Sequence, residues 1–288
     1  MRQRSRAGKH ADVSSPSAVS AIGYRDLTML QEFAAVVELE RQIWGPGYDD
    51  VVPAPILAVS VKRGGILIGA FDGARLVGFV YSLPGLKDGK PTQWSHMLGV
   101  VDGHRRGGLG CTLKVLQRER ALAMGLDLIE WTFDPMQAVN AHFSIGKLGA
   151  IADEYDENVY GASSSPLHKG NPTDRLVAQW EIRQERVERR ISGGAALPSV
   201  LTVEPANRMR PRGEWFEPVE IDVSLDRPRI SVQIPAGFTG MLSRAPDLAM
   251  TWRLATRQIF TTYFARGYRA VGFFLDSHAG GGTYLLAR

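Results

Sequence analysis

Between Trp94 and Phe133 the hydrophobic pattern changes period twice, and no other stretch constrains the fold as strongly. Trp94–Val101 is a β-prone run, and Asp102–Gly110 is a basic, glycine-rich turn. Leu109–Met124 then carries Leu109, Leu113, Leu116 and Ala123 at helical spacing up to Gly125, and Leu126–Phe133 is β-prone again. A chain that leaves a sheet, runs through a helix and rejoins the sheet does so as a parallel crossover, because two tightly turned strands would be antiparallel. A short helix over Ala138–Leu148, stopped by Gly149, extends the unit. The pattern predicts an α/β architecture organised around that crossover.

The flanking segments build outward from it. Leu27, Leu30, Phe33, Ala34, Val37 and Leu39 predict an amphipathic helix over Tyr24–Ile43, stopped by Gly45, Pro46 and Gly47, with a second short helix at Pro53–Val61. Gly65–Phe71 and Leu76–Leu83 surround Asp72-Gly73, a hairpin signal because the glycine accepts positive φ. Residues 151–160 and 175–182 predict two more strands, separated by a Ser/Pro/Gly-rich loop over 161–173. Beyond Gly193-Gly194 come strand-like runs at 199–204, 217–224 and Ile230–Ile234, a long helix over Leu248–Ala265, and strands at Val271–Leu275 and Thr283–Ala287. The order of 230–275 echoes that of 94–133 without the glycine turn. At 288 residues the chain has room for two domains. The expected division is a disordered basic leader (1–21), a main α/β domain (22–192) and a smaller α/β domain (193–288).

Charge excludes one class of partner. The net charge is +4, and Arg2, Arg4, Arg6 and Lys9, all ahead of the first acid, Asp12, account for the whole of it. The remaining body is formally neutral, where a nucleic-acid-binding domain needs a basic face. No run approaches the roughly 18 apolar residues of a membrane span. Cys111 is the only cysteine, which leaves no cysteine-based zinc site and suits a reducing, cytoplasmic setting. No histidine pair stands at metal-ligand spacing, so no metal is expected.

The turn itself reads Arg105-Arg106-Gly107-Gly108-Leu109-Gly110. Glycines at a helix N-terminus let the backbone approach a ligand, and the unpaired N–H groups attract phosphate. Two nucleotide-binding motifs fail on spacing. A dinucleotide fingerprint needs glycine where Leu113 stands, and a P-loop needs Gly-Lys-Ser/Thr where Leu113 and Lys114 stand.

HMLGV (96–100), RRGGLG (105–110), LIEWTF (128–133) and NAHFSIGKLGA (140–150) resemble the core of the GNAT superfamily of N-acyltransferases, and the likeness covers about residues 22–182. It is closest to a subfamily of predicted bacterial acyltransferases with a C-terminal extension. The resemblance implies a mixed, splayed β-sheet flanked by helices, with residues 193–288 a degenerate second copy that serves as a substrate wall or homodimer surface. It implies an acyl-coenzyme A cofactor, carrying acetyl or another short acyl group such as succinyl, whose pyrophosphate sits on Arg105, Arg106, Gly107, Gly108, Leu109, Gly110 and Cys111. Pantetheine would lie along Met97, Leu98, Gly99 and Val100, with Asn140 and Phe143 beside the cofactor arm. Two departures stand out. Arg106 and Gly107 invert the usual order, so Arg106 is strained by about 1 kcal/mol if its position needs positive φ. Ile145 stands where many relatives place a tyrosine that protonates the leaving thiolate.

Amide formation needs a group to take the ammonium proton. Candidates are His96 and Asp134, on or just beyond the two strands, with Glu130 an alternative that reads equally as a solvated side chain. His96 reads equally as a packed core histidine beside Trp94 and Leu98, and Asp134, before Pro135, as a turn residue. The implied reaction is direct attack of a small-molecule amine or amino acid on the thioester. A non-catalytic acyl-coenzyme A sensor and an acyl-coenzyme A hydrolase or decarboxylase are the alternatives.

Overall fold

The computed structural model describes residues 21–45, 48, 50–105, 107–161, 170–193, 202–276 and 281–288. β1 (Ile22–Asp26) precedes α1 (Leu30–Trp44). The helix expected from Tyr24 therefore begins at Leu30, because Ile22–Asp26 pairs residue for residue with Asp72–Ile68 of a neighbouring strand. Glu32 stabilises the helix start by accepting the backbone N–H groups of Thr28 (2.7 Å) and Met29 (2.9 Å). Next come α2 (Ala54–Lys62), β2 (Ile66–Asp72), β3 (Arg75–Lys87) and β4 (Lys90–Val100). Gly73, at φ 59°, makes the β2–β3 turn as expected.

α3 (Leu109–Ala123) carries the crossover to β5 (Leu128–Phe133), parallel to β4. The expected helix over Ala138–Leu148 is α4 (Ala138–Ala141) running into a π-helical turn, His142–Lys147, in which the N–H of Leu148 reaches back to the carbonyl of Phe143 at 3.0 Å. Such turns commonly mark functional sites. β6 (Ile151–Asp156), β7 (Arg175–Glu181) and α5 (Glu185–Ile191) follow.

The C-terminal part begins with a two-stranded ribbon, β8 (Arg208–Arg212) and β9 (Trp215–Val219), in place of the runs expected at 199–204 and 217–224. Residues 194–201 lie outside the described residues. β10 (Arg229–Pro235), α6 (Phe238–Arg244), α7 (Pro246–Ala265), β11 (Arg269–Asp276) and β12 (Gly281–Ala287) complete it. The apolar stripe of α7 is core as expected, with Trp252, Ile259 and Tyr263 all 0% exposed.

Ten strands form one sheet in the order β1-β2-β3-β4-β5-β7-β6-β11-β12-β10. This is the α/β class expected from the crossover, with the sheet splayed at its parallel step and helices packed against it. β12 is antiparallel to both β10 and β11 and lies between them, so the second strand–helix–strand unit has its gap filled. The two halves of the sheet, β1–β7 and β10–β12, meet at a single register pair between β6 and β11, Ala152↔Ala270. Side chains reinforce that junction: Tyr155 stacks on Phe260 (5.9 Å), and Tyr284 meets the edges of Phe260 (5.1 Å) and Phe273 (4.7 Å). Burying an aromatic ring of this size stabilises the fold by roughly 1.5–3 kcal/mol.

Candidate active site

The ladder between β4 and β5 holds only Gln93↔Ile129 and Trp94↔Glu130. Beyond those rungs β4 continues against β3 and β5 against β7, so a wedge opens between Ser95–Val100 and Trp131–Phe133. The cause is local. Tyr81 pairs with Met97 while Ser82 pairs with Ser95, which leaves His96 as the extra residue of a β-bulge. A bulge bends and over-twists its strand, and here it swings the end of β4 off its parallel neighbour.

β4 leads to the glycine turn. Asp102–His104 form one 3-10 turn, Arg105 is extended (φ −67°, ψ 155°), and Gly108 caps α3 in the left-handed conformation (φ 84°, ψ −5°). Arg106, and with it the strain expected there, lies outside the described residues. No side chain caps α3, so the first-turn N–H groups that follow Gly108 face outward with the positive end of the helix dipole. The Arg105 guanidinium is anchored by Val100 O (3.0 Å) and Asp102 (2.6 Å), and His104 Nε2 lies 3.2 Å from Asp72. A cavity of about 220 Å³ beside them is lined by Gln42, Ile43, Arg75 and Val101–Arg105.

The residues expected along the cofactor path converge in part. A Cβ on Gly110 would stand 3.7 Å from Leu98 and 3.9 Å from Phe143, so these three line one wall of the wedge. Gly99 serves the other face, where a Cβ would strike Ile43 (2.8 Å), Phe79 (2.9 Å) and Trp44 (3.2 Å) and push α1 off the sheet. Met97 is buried, Val100 and Cys111 are half-buried, and burial raises the Cys111 thiol pKa. Gly107 is exposed, and Asn140 is exposed on α4, its backbone N–H bonded to Gln137 O.

The wedge narrows to a polar apex reached from α3. The stripe expected at Leu109, Leu113, Leu116 and Ala123 is rotated: Leu113, Lys114, Gln117, Arg118 and Ala121 are buried with Leu109, while Leu116 is half-exposed and Ala123 exposed. Lys114 Nζ donates to Ser95 Oγ (3.0 Å) and lies 3.8 Å from the centre of the Trp131 ring and 5.3 Å from that of Trp180. Gln117 Nε2 also reaches Ser95 Oγ (3.1 Å), and Trp131 Nε1 donates to Ser144 Oγ (3.0 Å) beside the fully buried Ile145. Burial pushes the Lys114 pKa well below the usual lysine value.

The α1–α2 face carries the candidate proton acceptors. His96 sits exposed on the bulge with its ring edge-on to Tyr81 (6.1 Å), and the surrounding protein lowers its pKa. Sequence reasoning missed Glu40 on α1. It is 0% exposed, accepts the Val52 N–H (2.8 Å) through one oxygen, and has its pKa pushed up by burial to about 7. Glu130 is not a solvated side chain but is 6% exposed and paired with Lys87 at 2.8 Å.

Asp134 is bolted to the C-terminal half. Its oxygens accept Arg253 Nη1 (2.7 Å) and Nη2 (2.8 Å) and the Met136 N–H (2.8 Å), while Arg253 Nε donates to Asn171 (2.9 Å). Burial opposes the Arg253 charge, but Asp134 outweighs it and holds the guanidinium pKa above its ordinary value. Both Asp134 oxygens are thus taken up by donors in a buried bidentate pair, so Asp134 acts here as an anchor. Asp174 is held likewise by Arg257 (2.8 and 2.9 Å) and the Tyr155 hydroxyl (2.8 Å). No local signal marks Arg253, which lies 119 residues from its partner. Among the described residues no group of three or more His, Cys, Asp and Glu could hold a metal ion, and no helix is long and apolar enough to cross a membrane. His168, Lys169 and His278 lie outside the described residues.

No protein-family model matches the chain, and no curated protein matches it. Solved structures that resemble it include an acetyltransferase of the GNAT family from Streptococcus pneumoniae (14% identity, 55% of this chain and 98% of that one, TM-score 0.46). Another is the ribosomal-protein alanine N-acetyltransferase of Escherichia coli (12% identity, 57% and 96%, TM-score 0.46). A third is the PaiA N-acetyltransferase of Thermoplasma acidophilum in complex with coenzyme A (13% identity, 56% and 99%, TM-score 0.39).

Proposed function

We propose that this protein is a cytoplasmic acyl-coenzyme A-dependent N-acyltransferase that moves acetyl or another short acyl group, succinyl included, to the amine of a small molecule or amino acid. The observation that carries the reading is the wedge between β4 and β5, opened by the His96 bulge and ending at the uncapped N-terminus of α3. A strand edge without rungs offers N–H and C=O groups to an extended amide-bearing arm, in the manner of strand addition. The N–H groups following Gly108 suit a pyrophosphate, with Arg105 beside them. The sequence resemblance to the GNAT superfamily supports the same assignment.

Within this reading, backbone N–H groups of β4 near the bulge polarise the thioester carbonyl. His96, its pKa lowered and its ring at the rim, takes the proton that the amine sheds before or during attack. Residues 22–192 form the acyl-transfer unit, and residues 193–288 brace it through Arg253 and Arg257.

The test is to incubate the full chain with acetyl-, malonyl- and succinyl-coenzyme A, with and without an amine panel, while following free thiol. Amine-dependent release supports transfer. Amine-independent release would reassign the site to hydrolysis, and binding without release would make the protein a sensor, a reading that the apolar Ile145 favours.

A further inference from the structure

We propose that Lys114 is the proton donor to the thiolate that leaves the acyl donor, acting at the apex of the β4–β5 wedge; this rests on the acyl-transfer reading. Ser95 and Trp131 are the first residues beyond the last shared rung on their respective strands. The Lys114 amine lies 3.0 Å from the Ser95 hydroxyl and 3.8 Å from the Trp131 ring centre, so it spans the gap where the strands part. It is 2% exposed, and among the described residues no charged group offsets its burial. A buried cation without a counter-ion is costly, and an apolar side chain would fill the same space at lower cost.

Thioester chemistry supplies a counter-charge. As the new C–N bond forms and the C–S bond breaks, the electron pair leaves on sulfur, and an anion develops in the wedge. The neighbouring π-helical turn presents Ile145, which has no proton to give. Lys114 does: its N–H passes to sulfur, giving the free thiol and a neutral amine that its aromatic surroundings tolerate. Two protons leave the acceptor ammonium, to water and His96; His96 passes its proton on to water, and Nζ regains one from water when product departs, so one proton is released per turnover. The groups that face Nζ are Gln117 from α3, Ser95 from β4, Trp131 from β5 and Trp180 from β7, none of which titrates in the working range. Burial disfavours the ammonium and so makes its proton easier to give up than that of an exposed lysine.

The experiment uses coenzyme A and the full chain. Binding to wild type and Lys114→Met is measured by calorimetry, and the thiolate absorbance of the bound ligand is then followed against pH, with ligand-free protein subtracted to remove Cys111. The wild-type complex is expected to hold the thiol at least as acidic as free coenzyme A despite its burial, and Lys114→Met to weaken it tenfold or more. With acetyl-coenzyme A and the amine panel, kcat for thiol release falls about 100-fold, in the range of general acid catalysis, while KM for acetyl-coenzyme A changes less than threefold. Equal thiol titrations in the two proteins, or an unchanged kcat, overturn the assignment. Should Lys114→Met not fold, wild type alone decides: a bound thiol more than tenfold weaker than free coenzyme A overturns it. Wild type that fails to bind coenzyme A refutes the acyl-transfer reading itself, whereas binding with an unshifted contrast between the two proteins refutes Lys114 only.

Discussion

Replacing Arg253 with methionine should cost as much stability as truncating one of the fully buried aromatic side chains on the same helix. Asp134 and Arg253 are 4% and 1% exposed at their side chains. The substitution deletes two of the three hydrogen bonds on the Asp134 carboxylate and keeps only the Met136 N–H; it also strips Asn171 Oδ1 of its donor. Water does not reach the site to compensate. Breaking one side of a buried pair costs about 3–5 kcal/mol, because the remaining charge is left uncompensated. For a chain of this size that corresponds to a fall in Tm of roughly 6–20 °C. Urea unfolding of Arg253→Met, Asp134→Leu and the double variant measures it. The double variant should lie within about 2 kcal/mol of wild type, since replacing both partners removes the stranded charge. A single-variant loss below about 1 kcal/mol, or a double variant whose loss is the sum of the singles, would refute the claim that this pair is desolvated and mutually dependent.

Three further outcomes follow from the geometry. Gly108→Glu should weaken coenzyme A binding more than 100-fold with a folding cost of only about 1 kcal/mol for its positive φ, whereas Gly107→Ala, whose Cβ meets nothing closer than 3.7 Å, should bind within threefold of wild type; calorimetry separates the two. Glu40 is protonated in the fold up to about pH 7, driven by burial, but only to its usual 4.5 when unfolded. Its contribution is therefore complete below pH 4.5 and lost as pH rises through about 7, so Glu40→Gln should match wild type in urea at pH 4.5 and exceed it by about 3 kcal/mol at pH 8; a pH-independent difference excludes the buried carboxylate. His96→Gln should reduce amine-dependent kcat by about 100-fold and abolish the acid limb of its pH profile, which in wild type falls below the ordinary imidazole pKa. An intact limb in the variant assigns the proton transfer elsewhere.

The parts of the fold that were legible are those in which local chemistry and tertiary structure agree. The β4–turn–α3–β5 unit announces itself through a switch of period and a run of glycines, and Asp72-Gly73 through its turn chemistry. β1 was hidden because only Ile22 and Tyr24 are even partly buried in it, and Leu27 and Leu30 beyond it continue a helical spacing. The wedge itself has no side-chain signature: it arises from one extra backbone residue, His96, opposite a partner strand that carries none. Lys114 entered the sequence reading only as a mismatch to the P-loop, because a lysine beside an apolar stripe carries no local sign of burial; two tryptophans and a serine, from β5, β7 and β4, make an interior for it. The turn glycines could be placed by pattern, while Gly99 shows the limit of that method, its missing side chain serving α1 rather than a ligand.

The junction between the halves of the sheet has a consequence for how such chains diverge. Among the described residues one strand pair, Ala152↔Ala270, joins them, and side chains carry most of the remaining attachment, among them a cluster of four aromatic rings, two arginines on two aspartates and the Tyr284 hydroxyl on Pro135 O. A ladder of many rungs would demand strand length and register from whatever lies beyond it. This seam demands only a few complementary side chains. A foreign domain could replace residues 193–288 by transplanting those contacts, so specificity in the second half is free to drift while the wedge stays as it is.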